Sequence, residues 1–102
     1  MMNSHNENYS QLERRLKIRD MTMTLLQASQ DAPLRIVDIT GGEAVRRRLF
    51  SLGFNIGDRI ALAGRSILRG PVLVRNLDLG VTVAVGRGIA QKIMIEAADG
   101  TI

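Results

Sequence analysis

The chain has 102 residues, which is enough for one small domain with a single modest core. It contains no cysteine and a single histidine, His5, so a disulfide framework, a thiolate metal site and a cysteine nucleophile are all excluded. The formal net charge of +4 reflects an excess of arginine, which leaves nucleic acid, anionic lipid or an acidic protein open as partners.

Residues 1–22 form an extension that is polar at first and then amphipathic. MMNSHNENYS lacks the cationic start and apolar run of a signal peptide, and no apolar run elsewhere approaches the roughly 18 residues that span a bilayer. We therefore expect a soluble cytoplasmic protein. Leu12, Leu16 and Met23 are spaced to cover one side of a helix that would be marginal in water by itself. We hypothesise that residues 11–22 are helical only when docked on the domain or on a second copy, so that the extension acts as a partner-docking arm or, in the second case, produces a homo-oligomer.

One helix is predicted at residues 43–52. Thr40 and Glu43 have the spacing of a capping box, in which both side chains satisfy backbone groups at a helix start. Gly53 is placed to close the helix in the left-handed conformation. An apolar stripe lies between these ends at helical spacing and consists of Val45, Leu49 and Leu52.

Five short strands are predicted around this helix. They are runs rich in valine, isoleucine and leucine, namely LRIVDI, RIALAGR, PVLVRNL, VTVAVG and KIMIE. Turn residues separate them, including Gly57 and the Gly70–Pro71 pair at the start of the third strand. A five-stranded antiparallel sheet of this size must curl and close to bury its apolar face, which predicts a compact barrel.

The helix also supplies the candidate partner-binding residues, which are Arg46, Arg47, Leu49 and Phe50. Successive helical positions point about 100° apart, so the arginine run cannot form one patch, and a solvated face competes with contact to an acidic partner. Phe50 lies one position off the apolar stripe. Either one of the two large side chains at 49 and 50 is exposed for a partner, or both are core.

Catalysis is not expected from this composition. The carboxylates show no paired spacing suited to acid and base chemistry, and the serines have no histidine partner within the domain. GRGIA, at residues 86–90, is too close to the next strand for a phosphate loop. It predicts a tight turn and a single helical turn, with Ile89 and Ala90 closing one end of the barrel.

Two long segments, LRIVDITGGEAVRRRLFSLGFNIGDRIAL and RGPVLVRNLDLGVTVAVGRGIAQKIMIE, together resemble the FeoA family. These are small cytosolic accessory proteins of bacterial ferrous iron uptake, built on an SH3-like barrel. The most specific parts of the resemblance are RRLFSLGFNIGD, RGPVLV and GRGIAQKIMI. The resemblance implies an SH3-like barrel at residues 23–96, preceded by the extension at 1–22 and followed by a tail at 97–102.

The resemblance also implies a function and a partner. FeoA-like proteins are associated with the ferrous permease FeoB, a membrane transporter with a cytosolic GTP-binding domain, so a protein-binding role recruited to the inner membrane is expected. The family's domain is often described as binding transition metals. Because the matched region has no histidine or cysteine, no metal ligand and no cofactor are expected in this chain.

Two alternatives stay open at this stage. The same domain occurs at the carboxyl end of DtxR-type repressors, but no helix-turn-helix region precedes it here. A basic nucleic-acid-binding barrel is the other alternative. It is disfavoured because bases are usually gripped by aromatic side chains on strands, and none of Tyr9, Phe50 and Phe54 lies on a predicted strand.

Overall fold

The structure is a computed structural model that describes residues 23–65 and 69–98. Within these residues the chain forms six strands, two short α-helices and one 3₁₀ helix, Leu25–Gln27. The strands are β1 (Met23–Thr24), β2 (Leu34–Ile39), β3 (Arg59–Arg65), β4 (Val72–Asn76), β5 (Val81–Val85) and β6 (Ile93–Ala97). The α-helices are α1 (Glu43–Ser51), between β2 and β3, and α2 (Arg87–Ala90), between β5 and β6.

The six strands form one antiparallel sheet in the order β1-β6-β2-β3-β4-β5. The prediction of a mainly β fold with antiparallel strands and one short helix before the second long strand is confirmed. The structure has one strand more than predicted, because β1 is only two residues long and too short to show an alternation. No ladder joins β1 to β5 within the described ranges, so the sheet has two edges where a closed barrel was expected.

Alternation along the strands produces a single core. β4 buries every second residue, and β2 does so until the register shift after Ile36, beyond which Ile39 is the next buried residue. Register shifts in the β2–β6 and β3–β4 ladders bend the sheet around the buried side. The 3₁₀ helix, α1 and α2 contribute Leu25, Leu49 and Ala90, all fully buried. Ile89 packs against the same core, so the single helical turn predicted for GRGIA and its packing through Ile89 and Ala90 are confirmed. The largest other core residues are Ile36, Ile39, Phe54, Ile60, Leu62, Val72, Val74, Ile93 and Ile95.

The start of α1 differs from the predicted capping box. The N-cap is Gly42, with φ of 94° and no side-chain cap, and Gly41 before it has φ of 96°. Thr40 lies outside the helix because its N–H donates to the carbonyl of Lys92 at 2.8 Å. Two consecutive left-handed residues, which glycine adopts most readily, therefore separate Thr40 from Glu43. Glu43 keeps a favourable place in the first turn, where the helix dipole attracts a negative charge.

The end of α1 and the following turn use two glycines in the left-handed conformation. Gly53 has φ of 101° and donates its N–H to the carbonyl of Phe50 at 3.0 Å. Gly57 has φ of 96° and donates to the carbonyl of Ile36 at 2.8 Å, which ties this turn to β2. Gly70 and Pro71 directly precede β4.

The predicted boundaries need one correction. β6 runs to Ala97, and the buried Ala98 donates its N–H to the carbonyl of Pro33 at 3.0 Å. The first two residues of the predicted tail at 97–102 therefore belong to the domain. The extension at 1–22 and residues 99–102 lie outside the described residues, so the docking arm stays a prediction. None of the described helices is long and apolar enough to cross a membrane.

Candidate partner-binding site

Neighbouring residues on α1 lie in opposite environments. Leu49 is fully buried in the core, whereas Phe50 is 65% exposed. The 100° rotation between successive helical positions explains the difference, because the sheet covers only the stripe that contains Leu49. The structure therefore removes Leu49 from the candidate partner-binding residues and leaves Phe50 available.

Gly53, which follows Phe50 by one helical turn, lies near two other exposed apolar residues, from the turn after β4 and the start of β5. Leu79 is 64% exposed and Val81 is 41% exposed. A Cβ built on Gly53 would be 3.7 Å from Leu79 Cδ1 and 3.8 Å from Val81 Cγ2. Since Phe50 precedes Gly53 by one helical turn and accepts its N–H, the three residues are grouped around that glycine. We call Phe50, Leu79 and Val81 the Gly53 patch.

A buried amide supports this patch from below. Asn76, at the end of β4, is fully buried and donates through Nδ2 to the carbonyl of Gly53 at 2.7 Å and to Asp58 Oδ2 at 3.2 Å. Its Oδ1 accepts the N–H groups of Asp78 at 2.9 Å and Leu79 at 3.0 Å. One side chain thus joins the end of α1 to the β4–β5 turn. Leu79 and Gly53 are held in place by bonds that do not depend on a partner.

The arginine run on α1 divides into bound and free side chains. Arg46 donates through Nε to the carbonyl of Ile39 at 3.1 Å and forms an ion pair with Asp38 at 3.6 Å. Arg47 and Arg48 are exposed and make no side-chain hydrogen bond or ion pair to other described residues. Arg46 is therefore part of the fold, whereas Arg47 and Arg48 extend into solvent.

Other arginines also serve the fold. Arg35 donates to the carbonyl of Gly57 at 2.7 Å, and Arg65 reaches the carbonyls of Leu26 and Ala28. Arg59 bonds the Asp78 carboxylate through its backbone N–H at 3.1 Å and its Nε at 3.0 Å. These two bonds lower the pKa of Asp78 below its ordinary value of 3.8, and the bond from the backbone N–H has the larger effect. Much of the basic composition is used in internal bonds, which weakens its value as a sign of nucleic-acid binding.

The described residues contain no group of three or more histidine, cysteine, aspartate or glutamate side chains that could hold a metal ion. Asp58 and Asp78, two carboxylates close in sequence to Gly53 and Leu79, already accept hydrogen bonds from Asn55 and Arg59.

Both aromatic residues among the described residues lie outside the strands. Phe50 is on α1, and the buried Phe54 follows that helix.

Sequence reasoning missed Asn76, Leu79 and Val81. A signal for Asn76 was present, because it occupies an inward position of β4 after Val72 and Val74, where a polar side chain is unusual. No signal marked the other two. Their exposure depends on where the β4–β5 turn meets the end of α1, which is set by contacts between residues far apart in the chain.

Comparison with known proteins identifies the family. A model of the FeoA domain matches residues 23–97. A candidate Fe²⁺ transport protein A of Methanocaldococcus jannaschii is 33% identical over 72 residues, covering 71% of this chain and 83% of that protein. The crystal structure of an iron uptake regulatory protein, FeoA, superposes with a TM-score of 0.65 and 28% identity over 74% of this chain and 96% of that one.

More distant structures agree in fold. A FeoA-like protein from Clostridium acetobutylicum has a TM-score of 0.66 at 19% identity, covering 76% of this chain and 88% of that one. A manganese-dependent transcriptional repressor has a TM-score of 0.67 at 22% identity over 74% of this chain, which spans only 36% of the repressor. With the family model covering six strands and both helices, the chain belongs to the FeoA domain family, as the sequence resemblance predicted.

Proposed function

We propose that this chain is a cytoplasmic, non-catalytic accessory protein of ferrous iron transport that binds the cytosolic region of a FeoB-like permease. Membership of the FeoA family and similarity to a candidate Fe²⁺ transport protein A support the role in iron transport. The permease contact is the finer part of the proposal and rests on the surface of the domain.

The Gly53 patch is the observation that carries the proposal. Phe50 and Leu79 each leave about two thirds of their surface in water, which is unfavourable for large apolar side chains in an unbound protein. Asn76 holds the backbone around them, so a partner would meet a preformed surface and little binding energy would be lost to ordering it. A rigid aromatic and aliphatic pair of this kind is a typical centre of a protein interface.

Charge next to the patch indicates the character of the partner surface. Arg47 precedes Phe50 by three residues on α1, so the two side chains are neighbours on the helix. Arg47 would form part of a polar rim, where charges steer encounter more than they add affinity. The partner surface should therefore present an apolar centre with carboxylates beside it.

Binding is tested by capture of the permease's cytosolic region on the immobilised chain. Leu79→Ser and Phe50→Ser should each reduce capture at least about tenfold, the typical loss for a buried interface anchor. Leu73→Ser is the matched control, because Leu73 is also an exposed leucine, at 45%, but lies on the opposite face of the sheet from Val81. Equal loss in all three variants, or in none, would remove the Gly53 patch from the interface.

We further propose that the chain works without a resident metal ion. Addition of Fe²⁺ or Zn²⁺ at concentrations that would saturate a micromolar site should then leave the melting temperature unchanged, because a ligand that binds only the folded state must raise it. Magnesium is the control for nonspecific ionic effects. An increase of several degrees that a chelator reverses would contradict this part of the proposal.

A further inference from the structure

β5 is an open edge of the sheet. It pairs with β4, and among the described residues no hydrogen bond joins its backbone to any other element. In an antiparallel strand, every second residue directs its N–H and C=O away from the paired neighbour. Val81, Thr82 and Ala84 are exposed residues, and no other described element pairs with the free side of the strand.

The strand also lacks the features that usually prevent an edge from pairing. Its sequence, VTVAV, has no charge and no proline, and no bulge interrupts its register with β4. Three of its five residues are valine, which strongly favours extended structure. An uncharged, regular edge of this kind is suited to accept a further strand from a partner, the mode known as β-strand addition.

The two faces of β5 differ in chemistry, and each face indicates which side chains an added strand should carry on that side. On the core side, Val81 is 41% exposed and Val83 is partly buried, whereas Val85 is buried. The core therefore stops short of covering the first part of the strand. Apolar side chains from an added strand would cover Val81 and Val83 and continue the core outward.

On the outer face the edge is positively charged. Arg75 is exposed and places Nε 3.3 Å from Thr82 Oγ1, directly beside the middle of β5. Arg87 follows the strand by two residues and begins α2. Neither arginine forms an ion pair within residues 23–65 and 69–98. Carboxylates on the outer side of an added strand would meet the charge of Arg75.

We infer that the open edge of β5 binds an extended segment of a partner protein in which apolar residues alternate with acidic ones. A second copy of this chain is a poorer occupant, because its own β5 carries no carboxylate. The chain's amino-terminal extension is also disfavoured, since residues 14–19, RRLKIR, hold four cations and no acid. The inference goes beyond the proposed function, because it concerns the chemistry of a segment and not the identity of the permease, and it shares only Val81 with the Gly53 patch.

The test uses a fluorescein-labelled peptide that alternates valine with glutamate, added to the full chain at low salt. Fluorescence anisotropy should show saturable binding that weakens as salt is added. The same peptide with lysine in place of glutamate should not bind. Amide hydrogen exchange should slow at alternate residues of β5 on binding, while α1 amides stay unchanged. Equal binding of both peptides, or protection outside β5, would overturn the inference.

Charge reversal provides the matched variants. Arg75→Glu should weaken binding of the glutamate peptide about tenfold or more and permit binding of the lysine peptide, because a like charge then opposes the first and favours the second. Arg48→Glu makes the same change on α1 and should leave both affinities unaltered. Equal loss in the two variants would reduce the effect to net charge and contradict the inference. The inference would also be contradicted if sedimentation showed that the chain self-associates and that this self-association blocks peptide binding.

Discussion

The two edges of the sheet are built differently. β1 is an edge of two residues, after which the chain turns at once into the 3₁₀ helix that buries Leu25. Gln27 closes this turn by accepting the N–H of Thr24 at 2.9 Å through its Oε1. β5 is an edge of five residues that stays regular and uncharged.

Tertiary contacts add to the contrast. Arg65, at the end of β3, donates to the carbonyls of Leu26 and Ala28 and so fastens the segment that follows β1. Within the described residues β5 has no such clamp on its free side. An edge that is short and clamped serves the fold, whereas a long open one is available for binding. The following experiments test that distinction, from the largest expected effect to the smallest.

Asn76→Ala should have the largest effect, because Asn76 holds the turn from which β5 starts. The change leaves the N–H groups of Asp78 and Leu79 and the carbonyl of Gly53 without their partner. We expect a loss of about 3 kcal/mol in the free energy of unfolding, measured with urea. Asn55→Ala, at an exposed asparagine, is the control and should cost far less. Similar losses would show that the Asn76 bonds do not support the β4–β5 turn.

Arg65→Ala should destabilise the clamped edge. Two hydrogen bonds from a charged donor are lost, with an expected cost of about 2 kcal/mol. Hydrogen exchange should quicken in the 3₁₀ helix and β1 while β5 amides keep their wild-type rates. Arg48→Ala, at an exposed arginine on α1, is the control for loss of charge. If β5 responded as strongly as β1, the two edges would be coupled and the contrast would fail.

Asp78 predicts a smaller effect that depends on pH. Bonds from Arg59 lower the pKa of the folded carboxyl, so its stabilising contribution is present above the ordinary value of 3.8 and is lost as pH falls through the lower folded value. Asp78→Asn should therefore be less stable than wild type near neutral pH. The difference in melting temperature should narrow on acidification below about pH 4. Glu43→Gln, which also removes one negative charge, is the control. If the difference in melting temperature between Asp78→Asn and wild type stayed constant across this pH range, titration of Asp78 would not be linked to stability.

Ala84→Lys should barely change stability, because Ala84 is exposed on the outer face of β5. Substitutions at such surface sites usually change the free energy of unfolding by less than about 0.5 kcal/mol. A lysine on an edge strand discourages pairing with another strand. Aggregation on prolonged heating, followed by light scattering, should therefore be slower than in wild type. Ser29→Lys, at an exposed residue of the loop before β2, is the control for one added positive charge. No difference between these two variants would mean that the β5 edge is not where chains associate.

Most of the fold could be predicted from the sequence. The five longer strands show as separate runs of branched apolar residues, since a strand that covers a core alternates its side chains and ends at turn residues. The helix was also predictable at its centre and at Gly53. Its start was not, because the spacing of Thr40 and Glu43 does not reveal that Gly41 and Gly42 both adopt positive φ.

The sequence alone determined the mainly β fold class, the family and the absence of cysteine and of any histidine beyond His5, because each is contained in residue identities and short spacings. Only the tertiary structure decided which candidate residues are exposed. Leu49 and Phe50 are adjacent in the chain, and Arg46 and Arg47 likewise, yet one of each pair is committed to the fold. Whether each of these side chains is buried, paired or exposed depends on where the sheet lies against α1 and on the positions of Asp38, Asn76 and the β4–β5 turn. Contacts between residues far apart in the sequence set those positions.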